Sequence, residues 1–488
     1  MPKGPRFNNT SDQFTTRDSL GIESATASIQ GELCPVVTTV TPRAFYWIFA
    51  VWNYYDFYTN YVGKKETYDD FDKPFLKKND YFFALSNILA QAKDQSGLAG
   101  IDKARTDSES DGPYPYNEKY LITRFGGMQY YNSGCQTLGF ITDTNQDGTI
   151  SYKLPRLTEQ LGKPMALAFE RVICNTAYYK EYRLQNTPVP KEVLLEFGRT
   201  VGLNLAGFNE CKQLLREALF ESKNNKYLNN SKLILSVDYI KTFREQHGIL
   251  PSNLRELRRV LFDIYSPRGE ARQIVPELAE IASDWEIVVG RQYFTIAIEL
   301  IWKYMLEELD GKMAMDAAAW INGCLSSATW TMDINAPLSQ YIPECNYTFE
   351  VREKMIAAGA RGSSNSSQNI DTGIRVLLSL FNRFSERDDL NEDYMAVGQD
   401  VSLTKLILLI REFAEKPVAE FIAHLMINWI IKKHEKTATE KLYYGRDGFF
   451  FEKVDDRYGF KHSMYPDFQG IRLQQLTQVM KDLDMLEA

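Results

Sequence analysis

Apolar residues recur at spacings of three and four along most of this chain, the period of an amphipathic helix. The first such pattern begins near Ile22 and runs to about Leu33. Cys34-Pro35 ends it, because the residue before a proline is pushed out of the α region. Val36 to Val40 is β-branched and predicts an extended segment. Thr41-Pro42 reads as the N-cap and first residue of a helix carrying Phe45, Tyr46, Trp47, Phe49, Trp52, Tyr55 and Tyr58. An amphipathic helix is predicted over 79–96, then a polar loop over 102–119 in which Pro113 and Pro115 forbid regular helix. Gly126-Gly127 suits a turn into a helix ending near Leu138, and 143–148 a tight hairpin turn.

From about 156 to 330 the pattern is helical almost throughout, with segments near 157–183, 190–220, 231–247, 252–264 and 285–309. Trp285 to Leu309 is apolar on most faces, interrupted by Arg291, Gln292 and Glu299, which predicts a central buried helix. The Gly/Ser/Asn-rich stretch 358–373 has the composition of a mobile loop, and a boundary is expected there or at the acidic stretch 386–393. Residues 402–413 predict a helix. Pro417 opens another, with Val418, Phe421, Ile422, Leu425, Met426, Trp429 and Ile430 on one stripe. Residues 448–462 read as a β-hairpin turning at Asp455-Asp456, and a last helix carries Leu473, Leu476, Met480 and Leu483.

The fold class that follows is mostly α: a multi-helical body with a small β-hairpin and a C-terminal winged-helix-like α+β module. Three domains are expected. Residues 1–155 hold a polar arm over 1–20, the aromatic helix and a short hairpin. Residues 156–395 form a helical body with a flexible loop at 358–373, and 396–488 form the winged-helix-like module.

Composition narrows the function classes. The 488 residues are 44% hydrophobic and 25% charged, an ordinary globular balance that supports a sizeable core. The net charge of −8 argues against a chain that coats nucleic acid without specificity, so any such contact must be a local patch. The N-terminal residues lack an apolar signal region, and the most apolar stretch, Ala44 to Trp52, is too short to span a bilayer, so a cytoplasmic protein is expected. The six cysteines lie far apart and read as reduced thiols rather than a zinc site.

No phosphate-binding glycine loop, nucleophile elbow or zinc-protease motif is present. His424 and His434 are ten residues apart, about 15 Å along one helix, too far to share a metal. Glu210-x-Lys212 and Glu221-x-Lys223 match the spacing of nuclease metal sites, but in helical patterns. Asp143, Asn145 and Asp147 with Gly148 match half of a calcium loop, whose twelfth position is Leu154 instead of glutamate; a polar turn is the better reading. The aromatics from Phe45 to Tyr61, near Arg43, Lys64 and Lys65, could stack bases, though such periodicity is more often core. Arg291 suits either a ligand's phosphate or carboxylate, or a structural carboxylate. From Lys432 to Lys453 there are six Lys or Arg against four Asp or Glu. Lys432, Lys433, His434, Lys436, Arg446, Lys453, Arg457 and Lys461 are the candidate contacts to DNA or a partner. No cofactor is expected.

Three segments together resemble a family of bacterial proteins encoded in defence islands, beside helicase- or nuclease-type genes. The first is Leu20-Gly21-Ile22 with the run from Leu33 to Trp52. In it Val36 follows Pro35 where the family usually has glycine, so the tight turn is expected to differ. The second spans 126–141. The third is 432–456 with 471–486, where Arg472 matches an arginine opening the family's last segment. The resemblance covers both ends, leaves the middle weakly matched and supplies no catalytic residues. It implies a component of an anti-phage or restriction-like system, a non-enzymatic scaffold or recognition subunit whose partners are an ATPase, helicase or nuclease of the same operon, together with DNA and without membrane. A metal-dependent nuclease with a divergent site and a ligand-sensing protein are the alternatives.

Overall fold

The structure, a computed structural model, describes residues 18–60, 75–92, 94–121, 123, 126–143, 155–221, 228–263, 273–360, 366–398, 400–443 and 446–486. Among them are 19 α-helices and two antiparallel two-stranded sheets. The chain divides into two compact units, one of residues 1–29 and 251–469, the other of 30–250 and 470–488. The divisions thus fall within the first helix, Glu23–Leu33, and near 250 and 470, rather than near 155 and 395.

The unit of residues 30–250 and 470–488 is organised by the aromatic helix Phe45–Asn60, buried from Phe45 through Tyr54. Each large side chain removed from water there contributes roughly 1.5–3 kcal/mol. Phe83 of the helix Phe75–Leu89 stacks on Phe45 with ring centroids 4.0 Å apart, and Phe169 of the helix Gly162–Ile173 lies 5.3 Å from Trp52. The aromatic helix starts at Phe45, not Pro42. Its N-terminal cap comes from the far end of the chain, where Asp482 of the closing helix Arg472–Asp482 accepts from the Ala44 N–H at 3.0 Å.

Several sequence expectations for this unit are corrected. Val36 to Val40 is no strand: Val36 has φ 63°, and Thr41 Oγ1 accepts from the Thr38 N–H at 2.7 Å to close a turn. The polar loop over 102–119 contains the helix Ile101–Ser108, held by buried Ala104 and by Tyr81 donating to Asp107 at 2.9 Å. The pattern over 190–220 is two helices, Lys191–Thr200 and Asn209–Arg216, separated by a turn in which Leu205 has φ 55°. Ile141–Thr142 pairs antiparallel with Arg156–Leu157, so the strands flanking the expected hairpin turn do meet; residues 144–148 of that turn lie outside the described residues.

The other unit is built around the helix Ala279–Leu309, 31 residues long and buried on all sides through its middle. Its closest neighbour is the helix Asn369–Phe384. A Cβ on Gly373 would lie 2.7 Å from the Ala297 carbonyl oxygen, and one on Gly359 would lie 2.5 Å from Asn369 Oδ1 and 2.7 Å from Leu300. These glycines let helices approach closely. The stretch 358–373 is therefore not a loop throughout: Phe349–Ala360 is helix, and Asn369, Ile370 and Asp371 are buried in the next one. Residues 361–365 lie outside the described residues.

Leu403–Phe413 is a helix capped by Ser402 Oγ, which accepts from the Lys405 N–H at 3.3 Å. Val418–His424, a π-helical segment Leu425–Ile431 and Lys432–Tyr443 then form one continuous rod. The hairpin pairs Phe451–Val454 with Arg457–Phe460, and its two turn residues, Asp455 and Asp456, have φ 47° and 59°, as a type I′ turn requires. The closing helix Arg472–Asp482 groups with residues 30–250, not with rod and hairpin. No helix among the described residues is long and apolar enough to cross a membrane, and all six cysteines are free, with Cys174 alone only half-buried.

Candidate functional site

The last helix of the rod reads Lys-Lys-His-Glu-Lys at its start, a sequence that looks fully solvated. Its faces are in fact sharply unlike. His434, Thr437 and Ala438 are buried, while Lys432 and Lys436 are exposed and Lys433 is half-exposed.

His434 is fully buried and fastens three segments together. Its Nε2 accepts from the Phe450 N–H at 3.0 Å, which fixes the proton on Nδ1, and Nδ1 donates to the Ser19 carbonyl at 3.0 Å. The rings of Trp302 and Phe451 lie 5.1 Å from the imidazole. Burial pulls its pKa down to about 4. This histidine is a neutral latch, and the expectation that it contacts DNA or a partner fails because both nitrogens are engaged inside the protein.

On the outer side of the same helix lies a cleft of about 440 Å³ lined by Asp18, Ser24, Lys433, Lys436, Glu440 and Lys441, among others. The Asp18 carboxylate caps the first helix, accepting from the Glu23 and Ser24 N–H groups at 3.0 Å each. Lys441 Nζ donates to the Asp18 carbonyl at 2.8 Å, and burial lowers its pKa. Lys433 and Lys436 have no hydrogen-bond or ion-pair partner among the described residues. Two ammonium groups thus line the cleft without an ion pair, alongside the carboxylates of Asp18 and Glu440. Asp18, Ser24, Glu440 and Lys441 were missed from sequence. Asp18, just ahead of a helical pattern, was legible as a cap, but nothing local placed it beside residues more than 400 positions away. The end of the expected polar arm is likewise pinned, since Ser19 and Leu20 are buried; residues 1–17 lie outside the described residues.

The remaining candidates do not line this cleft. Lys432 donates to Asn428 Oδ1 at 2.8 Å. Lys453 pairs with Glu435 at 2.9 Å, and Lys461 with Asp447 at 2.6 Å, so both are already neutralised. Arg446 and Arg457 are exposed. The hairpin lies against the unit's core: Tyr458 exchanges backbone hydrogen bonds with Met315 at 2.8 and 3.1 Å, and its ring lies 5.5 Å from that of Trp320.

Elsewhere the sequence candidates resolve into structure. Glu210 pairs with Arg171, and Lys212 is buried against Asp484 at 2.7 Å, so the Glu-x-Lys spacing serves packing rather than metal. Asp143 accepts from Gln136; Asn145 and Asp147 lie outside the described residues, as does Lys223. No group of three or more His, Cys, Asp or Glu able to hold a metal occurs among the described residues. Phe45, Trp47, Phe49 and Trp52 are core and offer no face to a base. Arg291 is fully buried, but the structural carboxylate expected beside it is not there among the described residues.

No protein-family model, curated protein or solved structure matches the chain.

Proposed function

We propose that the protein is a non-enzymatic scaffold or recognition subunit of a bacterial anti-phage defence complex, acting in the cytoplasm. The observation that carries the reading is the pair Lys433 and Lys436, which make no ion pair among the described residues at a cleft whose lysines outnumber its carboxylates, in a chain of net charge −8. An acidic chain that keeps bare ammonium groups together presents a specific attractive patch to an acidic partner. The resemblance of both ends to defence-island proteins supplies the setting, and the partner is an ATPase, helicase or nuclease of the same operon. The winged-helix-like element of this proposal is reduced to the rod and hairpin, with Arg457 at the wing.

Of the residues behind the nuclease alternative, Glu210 and Lys212 are engaged by Arg171 and Asp484, while Asn145 and Asp147 of the Asp143 loop lie outside the described residues. Co-purification of the tagged protein with its operon neighbours tests the proposal. Capture of one of them, weakened by salt, supports it; a chain that elutes alone opposes it. DNA contact is measured alongside by fluorescence anisotropy at several salt concentrations. Each phosphate neutralised by Lys432, Lys433, Lys436, Arg446 or Arg457 contributes a slope of roughly −0.9 in log K against log salt.

A further inference from the structure

The buried charges of the helix Ala279–Leu309 are, with one exception, answered by other side chains. Asp284 accepts from Asn391 at 3.2 Å, Glu286 is held by Arg383 and Arg387, and Lys303 pairs with Glu307 at 2.7 Å. Glu299 is hydrogen-bonded with Glu23, and burial raises its pKa. Arg291 is the exception. It is 0% exposed, and its one side-chain hydrogen bond among the described residues is Nη1 to the Tyr394 carbonyl at 3.5 Å, the limit of a hydrogen bond.

The two nitrogens left over are informative. Nε and Nη2 of Arg291 have no hydrogen-bond partner among the described residues. These form the side-on fork of a guanidinium, the edge that matches a carboxylate with two parallel N–H···O bonds. The same protein uses this edge elsewhere: Arg43 grips Asp482 through Nε and Nη2 at 2.9 Å each, Arg258 grips Glu353 through the same atoms at 2.9 and 2.7 Å, and Arg387 grips Asp389 at 2.9 and 2.7 Å. One turn along from Arg291, on the same helix face, Thr295 is buried and its hydroxyl also has no partner. Gly398, with φ 99°, lies close to the fork; a Cβ there would lie 2.8 Å from the Val401 carbonyl oxygen, 3.2 Å from Nη2 and 3.5 Å from the Ala25 methyl, so the surroundings are tight.

Burial lowers the Arg291 pKa to about 10, and no acidic group contributes to that value. The guanidinium is thus charged at neutral pH without a counter-charge among the described residues, an arrangement proteins avoid unless something else answers the charge.

We propose that the Nε/Nη2 edge of Arg291, with the Thr295 hydroxyl one turn along the helix, is a binding site for a small carboxylate ligand. The ligand's two oxygens would take the places that Asp482 and Glu353 occupy on Arg43 and Arg258. The tightness of the surroundings restricts it to a compact acid of few carbons.

The test uses the full chain with formate and acetate as probes, against chloride at matched ionic strength. Thermal unfolding is recorded together with saturation-transfer NMR of the probe's protons. The wild type should show Tm rising with carboxylate concentration above the chloride baseline, with a saturable NMR response. Arg291→Met should lose both while remaining at least as stable in chloride, since an unanswered buried charge has been removed. Arg291→Lys keeps the charge without the fork and should bind at least tenfold more weakly. Thr295→Val, near in shape, should fold normally and bind more weakly, which keeps the test decisive should the Arg291 variants not fold. The proposal is overturned if the wild type responds to carboxylates no more than to chloride, or if its response persists in Arg291→Met or is unchanged in Thr295→Val.

Discussion

Arg43 and Asp482, 439 residues apart in the chain, meet in a two-point ion pair with Nε and Nη2 each 2.9 Å from a carboxylate oxygen. Asp482 also caps Ala44, so one carboxylate sets both the start of the aromatic helix and the seat of the closing helix. Burial nevertheless holds the Asp482 carboxyl above its usual range in spite of Arg43. The pair therefore acts less as a net source of stability than as a device that fixes where the chain end docks.

Removing one partner should be costly and removing both less so. Asp482→Ala is expected to destabilise by about 1–3 kcal/mol, because Nε and Nη2 of buried Arg43 would lose their partner while Nη1 keeps Asp94 and the Ser96 carbonyl, each at 2.7 Å. Arg43→Met with Asp482→Leu should recover a good part of that loss. Denaturant unfolding followed by near-ultraviolet circular dichroism measures it, and a double variant as unstable as the sum of the singles would contradict the account.

His434 gives a pH dependence with a definite sign. Its folded pKa is about 4 against a reference of 6.5. Between those values the unfolded chain binds the proton and the folded chain does not, so stability present above pH 6.5 is lost as pH falls toward 4. The loss attributable to this group approaches about 3 kcal/mol. Asp56 and Asp80, each pushed up to about 6 by burial, act in the opposite sense over part of the same range. The comparison must therefore be between wild type and His434→Gln, a neutral side chain that can still accept and donate. Urea unfolding at pH 7.5 and pH 5 should show a smaller acid loss in the variant; equal losses would dismiss the latch.

Gly373→Ala should destabilise by roughly 1–3 kcal/mol, although alanine is the better helix former, since the added methyl meets the Ala297 carbonyl. A linker glycine would tolerate the change. Thermal melts of the variant separate the two.

Val36→Gly should stabilise by about 1 kcal/mol. A β-branched residue at φ 63° is strained, and glycine adopts that conformation without cost. An unchanged or lower melting temperature would show that contacts of the Val36 side chain outweigh the strain.

Much of the fold was legible because its signals are local. The central helix announced itself by apolarity on every face, and the hairpin by two aspartates that tolerate a left-handed turn. What escaped was whatever a distant residue decides. The aromatic helix begins at Phe45 because Asp482 caps it, and no reading of Thr41-Pro42 contains that fact. The glycines at 359 and 373 look like linker by composition and serve as close contacts between helices. The lysines of the cleft were visible as a run, but His434 among them was not separable as a buried latch until Ser19 and Phe450 were placed on its two nitrogens. Arg291 was noticed for its apolar surroundings, and only the structure showed its side-on edge without a partner.

The central claim is that the lysine cleft receives an acidic partner, and charge reversal tests it most directly. The tagged protein is co-expressed with its operon neighbours as wild type and as Lys433→Glu with Lys436→Glu, and co-elution is measured at low and high salt. The account predicts a partner retained by the wild type, released by salt, and absent from the double variant, whose melting temperature stays within a few degrees of wild type. A partner held equally by both proteins, or a wild type that elutes alone, would contradict it.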